Sequence, residues 1–284
     1  MSMFVEGVLI GISLVWLFLA AVIDIRFHEV PNLLTYSLIV FGLGLRLLSS
    51  LITQEWAFFI YGLIGFGAMY LVGTLFYYTQ QWGGGDAKLL MGLGAAFGSA
   101  PSYINPSYLP YLVTFLLLLF VVGACYGLIL SFYLALTHWK DFYSTFKKYL
   151  LQSHLFIWVL SLLGGGIIIL FFFEELFYRV LIFGGIFVFL FYKLLHLFAK
   201  SIDAVCMFKT LPLARVMEGD QLKDDVVVDG EVLIKRKKLG LTKQDILVLH
   251  EARVQEVTIR YGIAFVPVFF LSFILSLFLH GLFV

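Results

Sequence analysis

Long apolar runs separated by short polar segments dominate the pattern along this chain. A helix that crosses the hydrocarbon core of a bilayer needs roughly 20 apolar residues. Runs of this kind predict spans near 4–23, 33–52, 57–79, 108–136, 155–173, 176–198 and 262–283. A shorter Gly- and Ala-rich segment at 87–99 predicts one further helix, and its Gly92, Gly94 and Gly98 indicate close packing against a neighbouring helix. The pattern therefore predicts an all-α polytopic membrane protein, a bundle of about eight transmembrane helices.

A single sizeable polar segment, 199–261, interrupts this pattern near the end of the sequence. Its stretch "VVVDGEVLIKRKK" predicts a β-hairpin, because Asp229-Gly230 is a strong two-residue turn signal. The stretch "GLTKQDILVLHEARVQ" predicts a helix that begins at Thr242, with Asp245 three residues later in a partial capping box. We therefore expect a transmembrane bundle at 1–198, a small α+β module at 199–261 and a C-terminal transmembrane helix at 262–284.

Composition supports the membrane assignment and narrows the class of partner. Hydrophobic residues make up 62% of the 284 residues and charged residues 13%, with a mean hydropathy of +1.00. Soluble domains carry about 25% charged residues. The net charge of +1 gives no reason to expect a nucleic-acid partner, and two cysteines provide neither a disulfide framework nor a cysteine zinc site. The first apolar run lacks a basic n-region and a small-residue cleavage site, so we expect a retained helix rather than a signal peptide.

The distribution of basic residues predicts the orientation in the membrane. With eight spans, the connections 23–32, 80–86, 137–154 and 199–261 lie on one side. These connections and their immediate flanks carry all Lys and Arg residues except Arg46 and Arg179, which fall at the opposite ends of their spans. Because Lys and Arg accumulate in cytoplasmic loops, we expect a multi-pass protein of the cell membrane with this side facing the cytoplasm.

Two aspartates stand out beside the apolar spans. Asp24 ends the first span and Asp86 follows the third, so two crossings separate them and both lie on the same, cytoplasmic face. Two carboxylates that share a site cannot both ionise easily and hold a proton between them. The ionised carboxylate can then take a proton from water that attacks a peptide carbonyl, while the protonated carboxyl donates to the carbonyl oxygen. From this pair alone, proteolysis and proton or ion transport are comparable hypotheses.

The residues around Asp86 also allow a simpler interpretation. Asp86 is a good candidate for the N-cap of the helix at 87–99, and Asp24 could be a cytoplasmic helix stop. A cap alone does not need three glycines. Gly83, Gly84 and Gly85 allow unusual backbone angles and the close approach of an extended peptide, as in strand addition. These glycines favour proteolysis.

Two motifs resemble a known family. The sequence "GGGD", with Gly83, Gly85 and Asp86 at the fixed positions, fits the GxGD signature of membrane aspartyl proteases. The sequence "DIRFHEVPN", which begins at Asp24, resembles the segment after the first helix of type IV prepilin and archaeal preflagellin peptidases. Three later segments, "RVMEGDQL", "GLTKQDI" and "RYGIAFVPVFFL", look like the C-terminal region of archaeal members.

This resemblance implies an aspartic endopeptidase that cuts leader peptides from pilin-like or archaellin precursors at the cytoplasmic membrane face. Asp24 and Asp86 would be the catalytic pair, with no metal or other cofactor. The chain lacks the cysteines and the methyl-donor loop of bacterial relatives, so we expect cleavage without methylation. Membrane lipids are the other expected partner.

The alternatives are a GxGD protease that cuts within transmembrane helices, a proton- or ion-coupled transporter, and an assembly platform that docks partners on 199–261. The sequence leaves the precursor and the oligomeric state open.

Overall fold

The structure is a computed structural model that describes residues 2–98, 110–154, 158–162, 164–166, 175–228, 231–237, 240–260 and 262–279. Two compact units divide the chain, one formed by Met1–Gly127 with Gly262–Val284 and the other by Leu128–Tyr261. We call them the helical unit and the mixed unit. The boundaries expected from the sequence, at 198 and 261, remain a prediction.

Apart from the short helical stretches at 158–162 and 164–166, the described part of the chain contains nine α-helices: α1 Ser2–Phe27, α2 Asn32–Thr53, α3 Trp56–Tyr78, α4 Gly84–Phe97, α5 Tyr111–Thr137, α6 Trp139–Gln152, α7 Leu176–Cys206, α8 Lys243–Glu251 and α9 Val266–Leu279. Among the described residues, α1, α2, α3, α5 and α7 are long and apolar enough to cross a membrane, and α9 is a shorter apolar helix. The predicted class, an all-α polytopic membrane protein with a small α+β insert, is confirmed. Most of the predicted span at 155–173 lies outside the described residues, although 158–162 and 164–166 are helical.

Helix α4 is the most deeply buried helix of the helical unit and packs against α2 and α3. Its glycines make this packing possible. A methyl group on Gly92 would lie 2.8 Å from two side-chain atoms of Leu38 in α2. One on Gly94 would overlap with the Gly65 carbonyl oxygen of α3, and one on Gly98 would overlap with the backbone of Tyr61. The close packing predicted for these three glycines is confirmed.

Arg46 of α2 binds the carboxyl end of α4. Its side chain is 2% exposed, and its Nε and Nη2 donate to the carbonyl oxygen of Ala96 at 3.1 and 2.8 Å. Its Nη1 donates to the Phe58 carbonyl oxygen at 2.6 Å, and the guanidinium lies 4.3 Å from the centre of the Phe58 ring. The last carbonyl groups of a helix have no partner within the helix and carry partial negative charge. A buried cation therefore fixes the end of α4 that is opposite to Asp86.

The mixed unit contains one element that the sequence did not predict as a helix. Helix α6 occupies the connection at 137–154, with apolar and basic side chains on different faces. Phe142 is buried and contacts the ring of Phe198 in α7 at 5.5 Å. Lys200 of α7 lies 4.5 Å from the ring centre of Tyr149. An amphipathic helix directly after a span is typical of a helix that lies along a membrane surface.

The β-structure of the mixed unit comprises five short strands in the described residues: β1 Phe208–Pro212, β2 Gln221–Leu222, β3 Val226–Val228, β4 Glu231–Ile234 and β5 Glu256–Arg260. Strand β5 pairs with β1 and β2 in an antiparallel sheet, and β3 pairs with β4. The predicted hairpin is therefore confirmed, although its turn residues Asp229 and Gly230 lie outside the described residues.

The predicted capping box of α8 is also confirmed. Thr242 is the N-cap residue, and its hydroxyl accepts from the Asp245 N–H at 3.3 Å. In turn, the Asp245 carboxylate accepts a hydrogen bond from the Thr242 N–H at 2.8 Å. These reciprocal bonds satisfy donors that a helix start leaves without partners.

Candidate active site

Asp24 lies in the last turn of α1 and is 6% exposed. Its Oδ2 accepts a hydrogen bond of 2.9 Å from the backbone N–H of Val266, the first residue of α9. The first N–H groups of a helix have no partner within it, and the helix dipole favours an anion at this end. The start of α9 thus supplies a hydrogen-bond donor to a buried carboxylate.

Asp86 occupies the third position of α4, not the N-cap. The N-cap is Gly83, whose N–H donates to Asp86 Oδ2 at 3.0 Å. The prediction that Asp86 is the N-cap is therefore wrong. The reason is that glycine tolerates the helix start, so that α4 begins at Gly84 and the carboxylate satisfies the cap from within the first turn. This bond fixes the Asp86 side chain at the start of the helix.

The glycines before Asp86 matter because they are small and allow another segment to approach closely. None of Gly83, Gly84 and Gly85 has a positive φ, so the expected unusual backbone angles are wrong for these residues. Gly85 is instead the point of close approach: a methyl group there would lie 3.0 Å from the Val30 Cβ. A side chain at this position would therefore push the α1–α2 connection away from α4.

A second contact joins the same two segments. Lys88 Nζ of α4 donates to Asn32 Oδ1 at the start of α2, at 2.6 Å, and lies 5.1 Å from the ring centre of Tyr36. Together with the contact between Val30 and Gly85, this hydrogen bond brings both sequence motifs to one end of the helical unit. Asp24 and Asp86 are near enough there for their charges to interact. The assignment of the two aspartates as a catalytic pair remains a prediction.

Sequence reasoning missed several groups around the two carboxylates. Trp82 stacks on Phe76 with ring centres 4.4 Å apart, and contacts Phe269 and Phe265 of the last segment at 5.7 and 6.2 Å. Tyr126 of α5 is partly buried in the same core and lies within electrostatic reach of Asp24. The tryptophan directly before the three glycines is a sequence signal that was not used for this cluster. The partners of its ring could not be found without the tertiary structure.

No metal centre is evident in the part of the chain that the structure describes, where no group of three or more His, Cys, Asp or Glu side chains is arranged around a common point. The expectation that the site works without a metal stays a prediction. The chemistry available from the described residues is that of two neighbouring carboxyl groups, each oriented by a backbone N–H.

The fold and the site together define a multi-pass membrane protein with two interacting aspartates at one end of a helical bundle. Residues 11–129 match the sequence model of the type IV leader peptidase family. The chain is 32% identical over 132 residues to a preflagellin peptidase of Methanococcus voltae, in an alignment that covers 44% of this chain and 55% of that protein. It is 30% identical over 99 residues to a preflagellin peptidase of Methanocaldococcus jannaschii, covering 35% and 41% respectively.

A third relative carries a different name. The chain is 30% identical over 107 residues to the prepilin peptidase EppA of Methanothermobacter thermautotrophicus, covering 38% of this chain and 28% of that one. No solved structure matches the chain significantly. The matched stretch 11–129 contains Asp24, Asp86 and the three glycines. Through this stretch the chain is a relative of the type IV prepilin and archaeal preflagellin peptidases, which confirms the resemblance. Its alignments cover 55%, 41% and 28% of the length of these relatives.

Proposed function

We propose that this protein is a membrane-embedded aspartic endopeptidase that removes leader peptides from prepilin- or preflagellin-like precursors. The observation that carries the proposal is the convergence of two motifs. The segment that begins at Asp24 contacts the segment around Asp86, through Val30 on Gly85 and Lys88 on Asn32, and the two carboxylates interact electrostatically. The names of the relatives support the same class of reaction.

In the proposed reaction, one aspartate is ionised and its partner is protonated. The ionised carboxylate removes a proton from water as the water oxygen bonds to the scissile carbonyl carbon, and the partner donates its proton to the carbonyl oxygen. The tetrahedral intermediate then collapses: its C–N bond breaks as the aspartate that took the water proton passes that proton to the amine nitrogen. The other aspartate takes a proton back from one hydroxyl of the intermediate as the new carboxyl group forms. The backbone N–H groups of Val266 and Gly83 hold the two side chains in place for these transfers.

The cytoplasmic orientation and the substrate class belong to the same proposal. The positive-inside distribution supports a site at the cytoplasmic end of the bundle, where the leader of a membrane-inserted precursor is accessible. No metal, cofactor or methyl donor takes part in the proposed reaction. The comparisons give no support to the alternative of a proton- or ion-coupled transporter.

The test is cleavage of purified prepilin and preflagellin precursors by the purified full chain in detergent micelles, followed by gel shift and mass spectrometry. We expect Asp24→Asn and Asp86→Asn each to lower the cleavage rate by at least about 10³-fold, because each removes one of the two proton-transfer groups. Asp203→Asn is a matched control, since Asp203 belongs to the mixed unit and forms an exposed salt bridge with Arg260. Cleavage that persists in either active-site variant would refute the aspartic mechanism.

A further inference from the structure

The start of α9 is the part of the site that lies farthest along the chain. Val266 follows Asp24 by 242 positions and lies outside the stretch 11–129 that matches the family. Its N–H nevertheless makes the direct hydrogen bond to the Asp24 carboxylate. The position of Asp24 therefore depends on a segment that the family match does not include.

The local sequence leaves only a few N–H groups for this role. Pro267 has no N–H, and the Val268 N–H is already bonded to the Phe265 carbonyl oxygen at 3.0 Å. The N–H of Val266 remains, and it bonds to Asp24. Of the first three residues of α9, Val266 is therefore the one whose N–H is available to Asp24.

The same segment contacts the other half of the site. Phe265 and Phe269 lie against the ring of Trp82, which directly precedes Gly83. Val266, Phe269 and Phe273 are fully buried, so α9 is firmly packed in the helical unit. One short helix therefore contacts both the carboxylate of Asp24 and the segment that leads to Asp86.

We propose that the start of α9 positions the two aspartates relative to each other, with the Val266 N–H orienting Asp24 and the rings of α9 holding the Trp82 segment. This inference rests on the proposed function for its kinetic consequences, whereas the hydrogen bond itself can be tested without any activity. Val266 is a positioning residue, because it acts on the reaction only through Asp24.

Val266→Pro is the sharpest perturbation. Proline is well suited to the first position of a helix, where the N–H has no intrahelical partner, so the change removes the bond to Asp24 without breaking the helix. We expect kcat to fall about 10- to 100-fold, with KM within about 2-fold of the wild type. Val266→Ala keeps the N–H and is expected to lose much less kcat than Val266→Pro, although it removes buried methyl groups.

Val268→Ala is the control for packing. Val268 is also fully buried in α9, but its N–H bonds to Phe265 and not to Asp24. The variant should have a lower Tm and an unchanged kcat for the folded protein. If α9 had only a structural role, kcat would follow the Tm across all three variants. Such a correlation, or a wild-type kcat in Val266→Pro, would overturn the inference.

A double-mutant cycle separates this inference from the proposed function. The Tm of the full chain in detergent is measured for Asp24→Ala, Val266→Pro and the double variant. Because both changes remove the same hydrogen bond, we expect the double variant to lose less Tm than the sum of the single losses. Additive losses would overturn the inference even if Asp24→Asn abolishes cleavage. Non-additive losses in a protein that cleaves no precursor would support the hydrogen bond and refute the peptidase proposal.

Discussion

Gly65 and Gly67 of α3 lie only two positions apart, and alanine substitutions at these two positions allow the stability that depends on close packing between α3 and α4 to be measured. A methyl group on Gly65 would overlap with the Cα of Gly98 and the carbonyl oxygen of Gly94, and would lie 3.1 Å from the Gly98 nitrogen. A methyl group on Gly67 would meet no heavy atom within 4 Å. The obstacles at Gly65 are backbone atoms of α4 and its C-cap, which cannot turn away as a side chain could.

The magnitude follows from the difference between Gly65→Ala and Gly67→Ala. Both variants gain the same helix propensity, about 1 kcal/mol in water, so this contribution cancels in the comparison. Overpacking of a close-packed site costs about 1–3 kcal/mol, and a clash with backbone places Gly65→Ala at the upper end. We therefore expect Gly65→Ala to be about 3 kcal/mol less stable than Gly67→Ala.

The assay is unfolding by SDS in mixed micelles, followed by circular dichroism, which yields a free energy of unfolding for each variant. Cleavage of a precursor is the second measurement. Because α4 carries Asp86, a shift of about 1 Å in its position is expected to lower the cleavage rate by about 10²-fold in Gly65→Ala alone. If Gly65→Ala is as stable as Gly67→Ala to within about 0.5 kcal/mol, the close contact of α3 and α4 is wrong.

Three further predictions test other parts of the structure. Arg46→Met removes the cation that binds the Ala96 carbonyl oxygen and leaves this buried acceptor without its donors, so it should lower the free energy of unfolding by about 1–3 kcal/mol in the SDS assay; an unchanged value would contradict the buried contact. Trp82→Leu keeps an apolar side chain but loses the ring contacts, so we expect a loss of about 1–3 kcal/mol together with slower cleavage. Hydrogen bonds from Lys237 and from the helix cap lower the pKa of Asp245 to about 2, from an ordinary value of 3.8. The stabilisation by this carboxylate is therefore complete above about pH 4 and disappears as the pH falls through 2, and the Tm difference between the wild type and Asp245→Asn should shrink over that range.

Local signals in the sequence were sufficient for the elements whose stability is local. The capping box of Thr242 and Asp245 and the hairpin at 226–234 were both predicted, because each depends on residues only a few positions apart. The apolar runs predicted most of the helices, since the bilayer demands about 20 apolar residues from any spanning helix. The start of α4 was misplaced by three residues, because glycine at the N-cap allowed the helix to begin before Asp86.

The sequence by itself also determined which polar groups stand out, since Asp24 and Asp86 are two of the few charged residues in an apolar setting and an even number of crossings separates them. Only the tertiary structure decided their partners. When a helix is apolar on every face, its sequence does not indicate which face packs against a neighbouring helix. For this reason neither the hydrogen bond from Val266 to Asp24 nor the contact between Gly85 and Val30 could be predicted. Both contacts depend on how the helices rotate and cross, and that is set by packing between segments far apart in the chain.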